Sequence, residues 1–207
     1  MKKLVLIGFL MFLLSPCQAQ QVIYNNLEDL LAQKGDTVTT LSVAKRTLNN
    51  LYMSNGADYR IESEGNSGLS KFIKNRAYAV LMDNDLYINC KFIRYERYRL
   101  GNWYAAAKQI NGVIYFAAQP VGQRASSKIK PEGTTKLGGA VGDAIAASGR
   151  VYDRVYYYIN TETGRAELVT SETMYSLLTD KPQLMEEYKQ EESESADVIE
   201  KYLSAIH

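Results

Sequence analysis

The chain has 207 residues, with 24 Lys and Arg against 23 Asp and Glu, a net charge of +1. That balance excludes the basic stripe of a nucleic-acid binder, so no nucleic-acid partner is expected. Sixteen tyrosines against five phenylalanines and one tryptophan point to a β-rich protein, because a tyrosine ring packs on cross-strand neighbours while its hydroxyl reaches water or backbone.

Residues 1–19 read as a cleavable secretory signal peptide. Lys2 and Lys3 form a positive start, Leu4 to Leu14 is an apolar run, and Pro16 ends it. The run is shorter than the roughly 20 apolar residues a membrane span requires. Cys17-Gln18-Ala19 places small residues where a signal peptidase reads, which predicts cleavage between Ala19 and Gln20 or one residue later. The alternative is a lipoprotein anchored through Cys17, a signal that Pro16 directly before the cysteine suits poorly. Losing Lys2 and Lys3 lowers the cation count from 24 to 22 against 23 acids, a net charge of −1. Cys17 leaves with the peptide. Cys90 then stands alone and cannot form an internal disulfide; in the strand-like Tyr87 to Phe92 it reads as a small hydrophobe, with a reactive or intermolecular thiol as the alternative. The mature chain is expected in the periplasm or outside the cell, without a transmembrane span.

Residues 20–207 are the size of one domain, β-rich over 36–169 and helical over 170–207. Asn26 caps a short helix whose apolar face is Leu27, Leu30 and Leu31, with Gly35 as its stop. The β-branched Thr37 to Val43 predicts a strand, followed by extended segments at Thr47 to Met53 and Tyr59 to Glu62 about the turn-former Asn55-Gly56. Ser63 to Ser70 reads as a polar loop. Ala77 to Met82 and Leu86 to Ile93 flank a hairpin loop at Asp83-Asn84-Asp85.

Trp103 to Ala118 is the clearest hairpin. Asn111-Gly112 is the preferred pair for a type I′ turn, whose two central residues need positive φ. It sets Ile110 opposite Val113, Lys108 opposite Tyr115 and Ala106 opposite Ala117, with Gln109–Ile114 and Ala107–Phe116 on the other face. Ala105-Ala106-Ala107 admits another layer closely, so this hairpin is expected at the centre. Gly122 to Gly133 reads as a polar connection containing Pro131. A long strand, Val151 to Ile159, turns through Thr161 to Gly164 into Ala166 to Val169.

The periodicity then becomes helical. Thr170 or Ser171 caps a helix carrying Met174, Leu177 and Leu178. Pro182 opens the next, Gln183 to about Glu192, and Ser195 caps a last one in which Ile199, Tyr202, Leu203 and Ile206 share a face. The expected fold is α+β: a mainly antiparallel sheet, as a sandwich or partly open barrel, with a short N-terminal helix and two to three C-terminal helices. Leu137 to Gly149 stands apart, built almost wholly of small residues, with Gly138 and Gly142 spaced as in closely packed helices. It reads as a helix on the sheet, a loop, or a membrane-entering or self-assembling segment. Lys136 precedes its glycines, so it is not a phosphate loop.

The only histidine is His207, which removes Ser-His-Asp and Cys-His catalysis and Cys/His zinc sites from the body of the chain. Asp83-Asn84-Asp85 resembles half a calcium loop, but Tyr87 stands at the third ligand place and Arg94 at the twelfth. No catalytic residue, metal or cofactor is assigned. Glu62 and Glu64 are the acids considered for histidine-free glycoside hydrolysis, with a solvated pair as the plainer reading. In Lys91 to Arg99 tyrosine and arginine interleave, as on faces that stack on a base or sugar, or as on a strand with one solvated charged face. The candidate ligand-binding residues are Tyr95, Arg97, Tyr98 and Arg99, with Tyr156 and Tyr158 from the tyrosine-rich strand.

The C-terminal third, with Gly138-Gly139-Ala140-Val141-Gly142, Tyr156-Tyr157-Tyr158-Ile159-Asn160, Thr163-Gly164-Arg165, Pro182-Gln183-Leu184 and Ile199-Glu200-Lys201-Tyr202-Leu203, resembles an uncharacterised family of exported Bacteroidetes proteins. The resemblance implies export and a strand-turn-strand leading into a Leu-Leu helix, a proline break and a closing helix. It carries no catalytic residue across. The sequence favours a non-enzymatic binding or interaction module of the cell envelope, with an envelope protein or glycan as partner; the alternative is a carboxylate-based glycan hydrolase. Sequencing the mature N-terminus is expected to begin at Gln20 or Gln21, and an acylated Cys17 or a retained Met1 would overturn soluble export.

Overall fold

Period-two burial along the strands determines the architecture. The computed structural model describes residues 21–54, 56–128, 153–191 and 193–207. The expected signal peptide, the small-residue segment 137–149 and Pro131 lie outside the described residues. The strands are β1 (Gln21–Tyr24), β2 (Asp36–Val38), β3 (Leu41–Lys45), β4 (Tyr59–Ser63), β5 (Ala79–Met82), β6 (Asp85–Asn89), β7 (Arg94–Tyr95), β8 (Tyr98–Arg99), β9 (Tyr104–Ile110), β10 (Val113–Ala118), β11 (Val155–Asn160) and β12 (Arg165–Leu168). The helices are α1 (Leu27–Leu31), α2 (Leu48–Ser54), α3 (Ser67–Asn75), α4 (Gly122–Ser127), α5 (Ser171–Leu177), α6 (Pro182–Lys189) and α7 (Ala196–Ile206).

Among the described residues the strands form one open α+β sheet in the order β2-β1-β5-β6-β9-β10-β11-β12-β7-β8, with β3 and β4 joined to it where Tyr59 meets Tyr104. Every pairing is antiparallel except β12 with β7. It is neither a sandwich nor a closed barrel. Val22 and Tyr24 of β1, Ile88 of β6, Phe116 of β10, Tyr157 of β11 and Tyr95 of β7 nevertheless belong to one buried cluster. In a flat sheet β1 and β11, five strands apart in the order, would lie well apart, since neighbours are spaced by about 4.8 Å; α1, which follows β1, nevertheless reaches the β11–β12 turn, so the sheet is curled around this core. Leu27 and Leu31 of α1 pack against the same cluster. A Cβ on Gly164, in the β11–β12 turn, would lie 3.9 Å from Leu27 Cδ2, so α1 bridges from the β1 side to that turn.

The alternate residues build two further clusters on the outer face. Ile110, Tyr115 and Tyr156 pack with Met174, Leu178, Tyr188, Ile199, Tyr202 and Leu203 of the C-terminal helical region. Ile23, Val80, Tyr87 and Tyr104 pack with Ile73 of α3. Cross-contacts reinforce this: Tyr104 donates its hydroxyl to the Ile73 carbonyl at 2.8 Å, and Lys108 Nζ reaches Glu200 at 2.6 Å.

The central hairpin has the expected register, Ile110 opposite Val113 and Lys108 opposite Tyr115, with Asn111 at φ 51° and Gly112 at φ 80°. Asp83 and Asn84 form a second loop of the same kind, at φ 52° and 76°, with Asp85 already in β6. Of the alanine run, Ala105 is buried but Ala106 is exposed, since it faces outward between the two outer clusters. The last three helices form as read, Thr170 closing a capping box with Thr173, Pro182 in the first turn of α6 and Ser195 accepting from the Val198 amide.

Several expectations change, and the strand expected over Leu86 to Ile93 ends at Asn89. Thr37 to Val43 is two strands, broken at Thr39-Thr40. Thr47 to Met53 is helical, nucleated where Thr47 accepts the Asn50 and Leu51 amides and held by the buried Leu51. The expected loop at Ser63 to Ser70 runs into α3, capped by Asn66 at the Leu69 amide and docked by Leu69, Phe72 and Ile73. Gly122 to Ser127, the start of the expected connection, is a short helix around the buried Ala125. Gly35 does not end α1 by its own conformation either; Gln33 takes the left-handed turn at φ 54°. A Cβ at Gly35 would press on the Val22 side chain and sit 2.6 Å from the Ile23 carbonyl oxygen.

Gly35→Ala is therefore expected to cost about 1–3 kcal/mol, as overpacking does, read as a lower urea midpoint with an unchanged slope. Cys90 is fully buried, and burial pushes its thiol up to about 12. It should resist a thiol reagent at pH 8 in the folded protein and react fully in denaturant; fast native labelling would contradict this burial.

Candidate functional site

The connection between β8 and β9 holds two residues at positive φ, Gly101 and Trp103. Gly101 and Gly56 take φ 95° and 93°, and their backbones touch: a Cβ on Gly101 would lie 3.0 Å from Gly56 Cα, and one on Gly56 would strike the Asn102 carbonyl. Asn102 accepts the Ala57 amide at 2.8 Å, and Gly56 donates to Gln119 Oε1 at 3.0 Å. Trp103 follows in the left-handed region at φ 75°, its carbonyl accepting the Cys90 amide at 2.9 Å. A bulky residue held there costs about 1–3 kcal/mol, and such outliers persist where the surroundings over-determine them.

Three cations surround the indole. The Arg46 guanidinium is 5.1 Å from the ring centroid, Lys74 Nζ 5.3 Å and the Arg60 guanidinium 6.0 Å. They come from different places: Arg46 from the β3–α2 junction, Arg60 from β4 and Lys74 from the last turn of α3. Arg46 is buried and donates to the Ala57 carbonyl at 2.8 Å and the Asn50 carbonyl at 2.7 Å. Burial pulls its pKa below the ordinary value; Asp58 opposes that and Arg154 reinforces it. Beside it, Asp58 forms an ion pair with Arg154, and Arg60 pairs with Glu62.

Magnitudes separate scaffold from surplus. A desolvated cation on an indole contributes about 2 kcal/mol and an exposed one about 0.5–1. Arg46 alone is of the size needed to offset the strain at Trp103. Arg60 and Lys74 are exposed and add little to stability while repelling each other. Among the described residues no carboxylate pairs with Lys74. Arg46, Arg60, Lys74 and Arg154 against Asp58 and Glu62 leave a local positive excess, in a chain close to neutral. The arrangement is suited to an anion that also offers a face to the ring.

The six residues singled out from sequence are not brought together. Tyr95 is buried on the inner face, 5.4 Å from the Tyr157 ring. Tyr156 is buried on the outer face within the cluster of the C-terminal helices. Tyr158 shares that face and donates to Glu167; burial first, and that bond second, push its phenol up to about 12. Arg97, Tyr98 and Arg99 sit on the β7–β8 hairpin, Arg97 donating to the Tyr98 hydroxyl at 2.9 Å. Glu62 lines a shallow hollow of about 460 Å³ with Ser63, Gly65, Asn66, Ser67 and Ser70, in which it is the single carboxylate. Trp103, Arg46 and Lys74 were missed; the one available signal was the lone tryptophan directly after Gly101-Asn102.

Among the described residues no group of three or more His, Cys, Asp or Glu is placed to hold a metal, and no helix is long and apolar enough to cross a membrane. No curated protein and no solved structure matches the chain. The family match extends well beyond the C-terminal third that carried the resemblance. It runs through β1 to α7, and the chain belongs to a family of unknown function (DUF6563), whose model matches residues 22–207.

Proposed function

We propose that the protein is an exported, non-catalytic binding module of the cell envelope that holds an acidic glycan at Trp103. The observation carrying this reading is the left-handed Trp103 with Arg46, Lys74 and Arg60 about its ring. A sugar ring has an apolar face to lay on an indole, and a uronic acid adds a carboxylate for the exposed cations. Arginine forks and lysine point charges both recognise that group. Export is supported by the positive, apolar and small-residue order of residues 1–19.

The binding reading is favoured over glycan hydrolysis. Hydrolysis needs two carboxyl groups across the scissile bond, about 5–10 Å apart. The hollow at Glu62 offers one carboxylate, and that one is engaged by Arg60. Asp58, beside Arg46, is engaged by Arg154, and Glu64 does not line the hollow.

Trp103 is the only tryptophan, so its fluorescence reports directly on the site. Titration with a uronic-acid oligosaccharide is expected to change the emission saturably, with a neutral oligosaccharide of the same length giving a much weaker response. Lys74→Gln, on an exposed face of α3, should weaken binding by about three- to tenfold, the size of one charge-assisted contact. Raising salt should weaken it further. An unchanged emission with the acidic sugar, or equal affinity for the neutral one, would remove the reading.

A further inference from the structure

Hairpin β7–β8 closes one end of the strand order, so β8 has no strand partner on its far side among the described residues. Across it Arg94 lies directly opposite Arg99, and Tyr95 opposite Tyr98. Side chains opposed in an antiparallel pair have Cβ atoms about 4.5–5.5 Å apart, and like charges so placed repel. Both arginines are exposed. Among the described residues neither has a carboxylate partner.

The surroundings deepen the imbalance. Arg97 at the turn is held by the Tyr98 hydroxyl at 2.9 Å and by its ring at 5.1 Å. Arg124 of α4 acts electrostatically on Tyr95 from the neighbouring element. The one acid of the hairpin, Glu96, leans toward α4, its Oε2 3.6 Å from where a Gly122 Cβ would stand. Arg94, Arg97, Arg99 and Arg124 thus gather about the hairpin, where Glu96 forms an ion pair with none of them; on the neighbouring β12, Arg165 adds a further cation and the Glu167 carboxylate is taken by Tyr158 and Asn160.

We propose that Arg94 and Arg99 form an oxyanion site, in which one sulfate, phosphate or carboxylate group bridges the two guanidiniums. The pairing suits it: two guanidinium forks opposed on one face of a short hairpin are within reach of one group with several oxygens. The oxyanion arrives either free or as the acidic group of a polysaccharide. The site does not depend on the Trp103 reading. A plainer role for these arginines, keeping the sheet edge from pairing with another chain, needs their charge but not their forks.

That difference sets the experiment. Thermal unfolding is followed in sodium sulfate and in sodium chloride at equal ionic strength, because sulfate stabilises folded proteins generally. The wild type is expected to gain about 3 °C more in sulfate than R94K/R99K does, the shift that tenfold saturation produces in a domain of this size. The lysine variant keeps both charges and the guarded edge, and circular dichroism checks its fold. R94Q/R99Q should lose the sulfate increment, and Trp103→Phe should keep it. A uronic-acid polysaccharide added in the same format separates the sources: an increment there but not in sulfate assigns a polymer-borne acid, and increments in both a site open to either. Equal sulfate and polysaccharide responses in wild type and R94K/R99K would overturn the proposal.

Discussion

Both faces of β10 and β11 are buried, and that one demand places the elements around them. Tyr157 points to the inner core beside Phe116, their rings 5.8 Å apart, while Tyr156 and Tyr158 point to the opposite face. Burying a large apolar side chain contributes about 1.5–3 kcal/mol, so neither face can be left wet. The inner face is satisfied by curling the sheet until β1 and β7 share its core. The outer face is satisfied by α5 to α7. Tyrosine rather than phenylalanine fits at several of these places because the hydroxyl ties one layer to another, although Tyr78 and Tyr188 bury theirs without a hydrogen-bond partner. Tyr157 accepts the Val121 amide at 3.2 Å, Tyr202 donates to Glu191 at 2.9 Å, and Tyr104 binds the end of α3.

The same packing makes the Trp103 loop rigid. Cys90 lies beneath it, fully buried, and donates its amide to the Trp103 carbonyl; Leu100 is anchored in the inner core on the other side. The Gly56–Gly101 approach then removes the remaining freedom. A loop fastened at both ends to a buried sheet can hold a left-handed tryptophan that a free loop would relax, which is how scaffolds position binding residues on connections. The inert thiol matters by its size and its amide.

What was legible in the sequence was local. Asn111-Gly112 set a register because the turn chemistry and both flanking strands agree within a few residues. The α7 face at Ile199, Tyr202 and Leu203 was likewise readable from spacing alone. α2 and α3 were not, because Asn49-Asn50 and Ser67-Gly68 have weak helix propensity and these helices are held by tertiary burial of Leu51 and Ile73. The Trp103 site was illegible for a related reason. Its cations arrive from three elements, and the sign of φ at Trp103 follows from Gly56 meeting Gly101 across forty-five residues of chain. Reading Lys91 to Arg99 as interleaved tyrosine and arginine found the right segment. It could not show that the segment folds back after Glu96, which sends Tyr95 inward and leaves Arg94 facing Arg99.

A near-neutral total conceals a segregated charge distribution. Much of the acidic excess lies in the last helical region, where Glu191, Glu194 and Glu200 are already matched by Lys201, Lys128 and Lys108. These three acids are matched, with Lys108 and Lys128 joining α7 and the loop before it to the rest of the fold. The arginines of β7–β8 and Lys74 at Trp103 have no such matching among the described residues. The distinction bears on function because matched surface pairs project little field beyond a Debye length, about 8 Å at physiological salt, whereas clustered charges of one sign raise the local concentration of the opposite ion. The unmatched cations at Trp103 and on the β7–β8 hairpin are therefore local centres of positive field that draw anions, even though the chain as a whole carries almost no net charge.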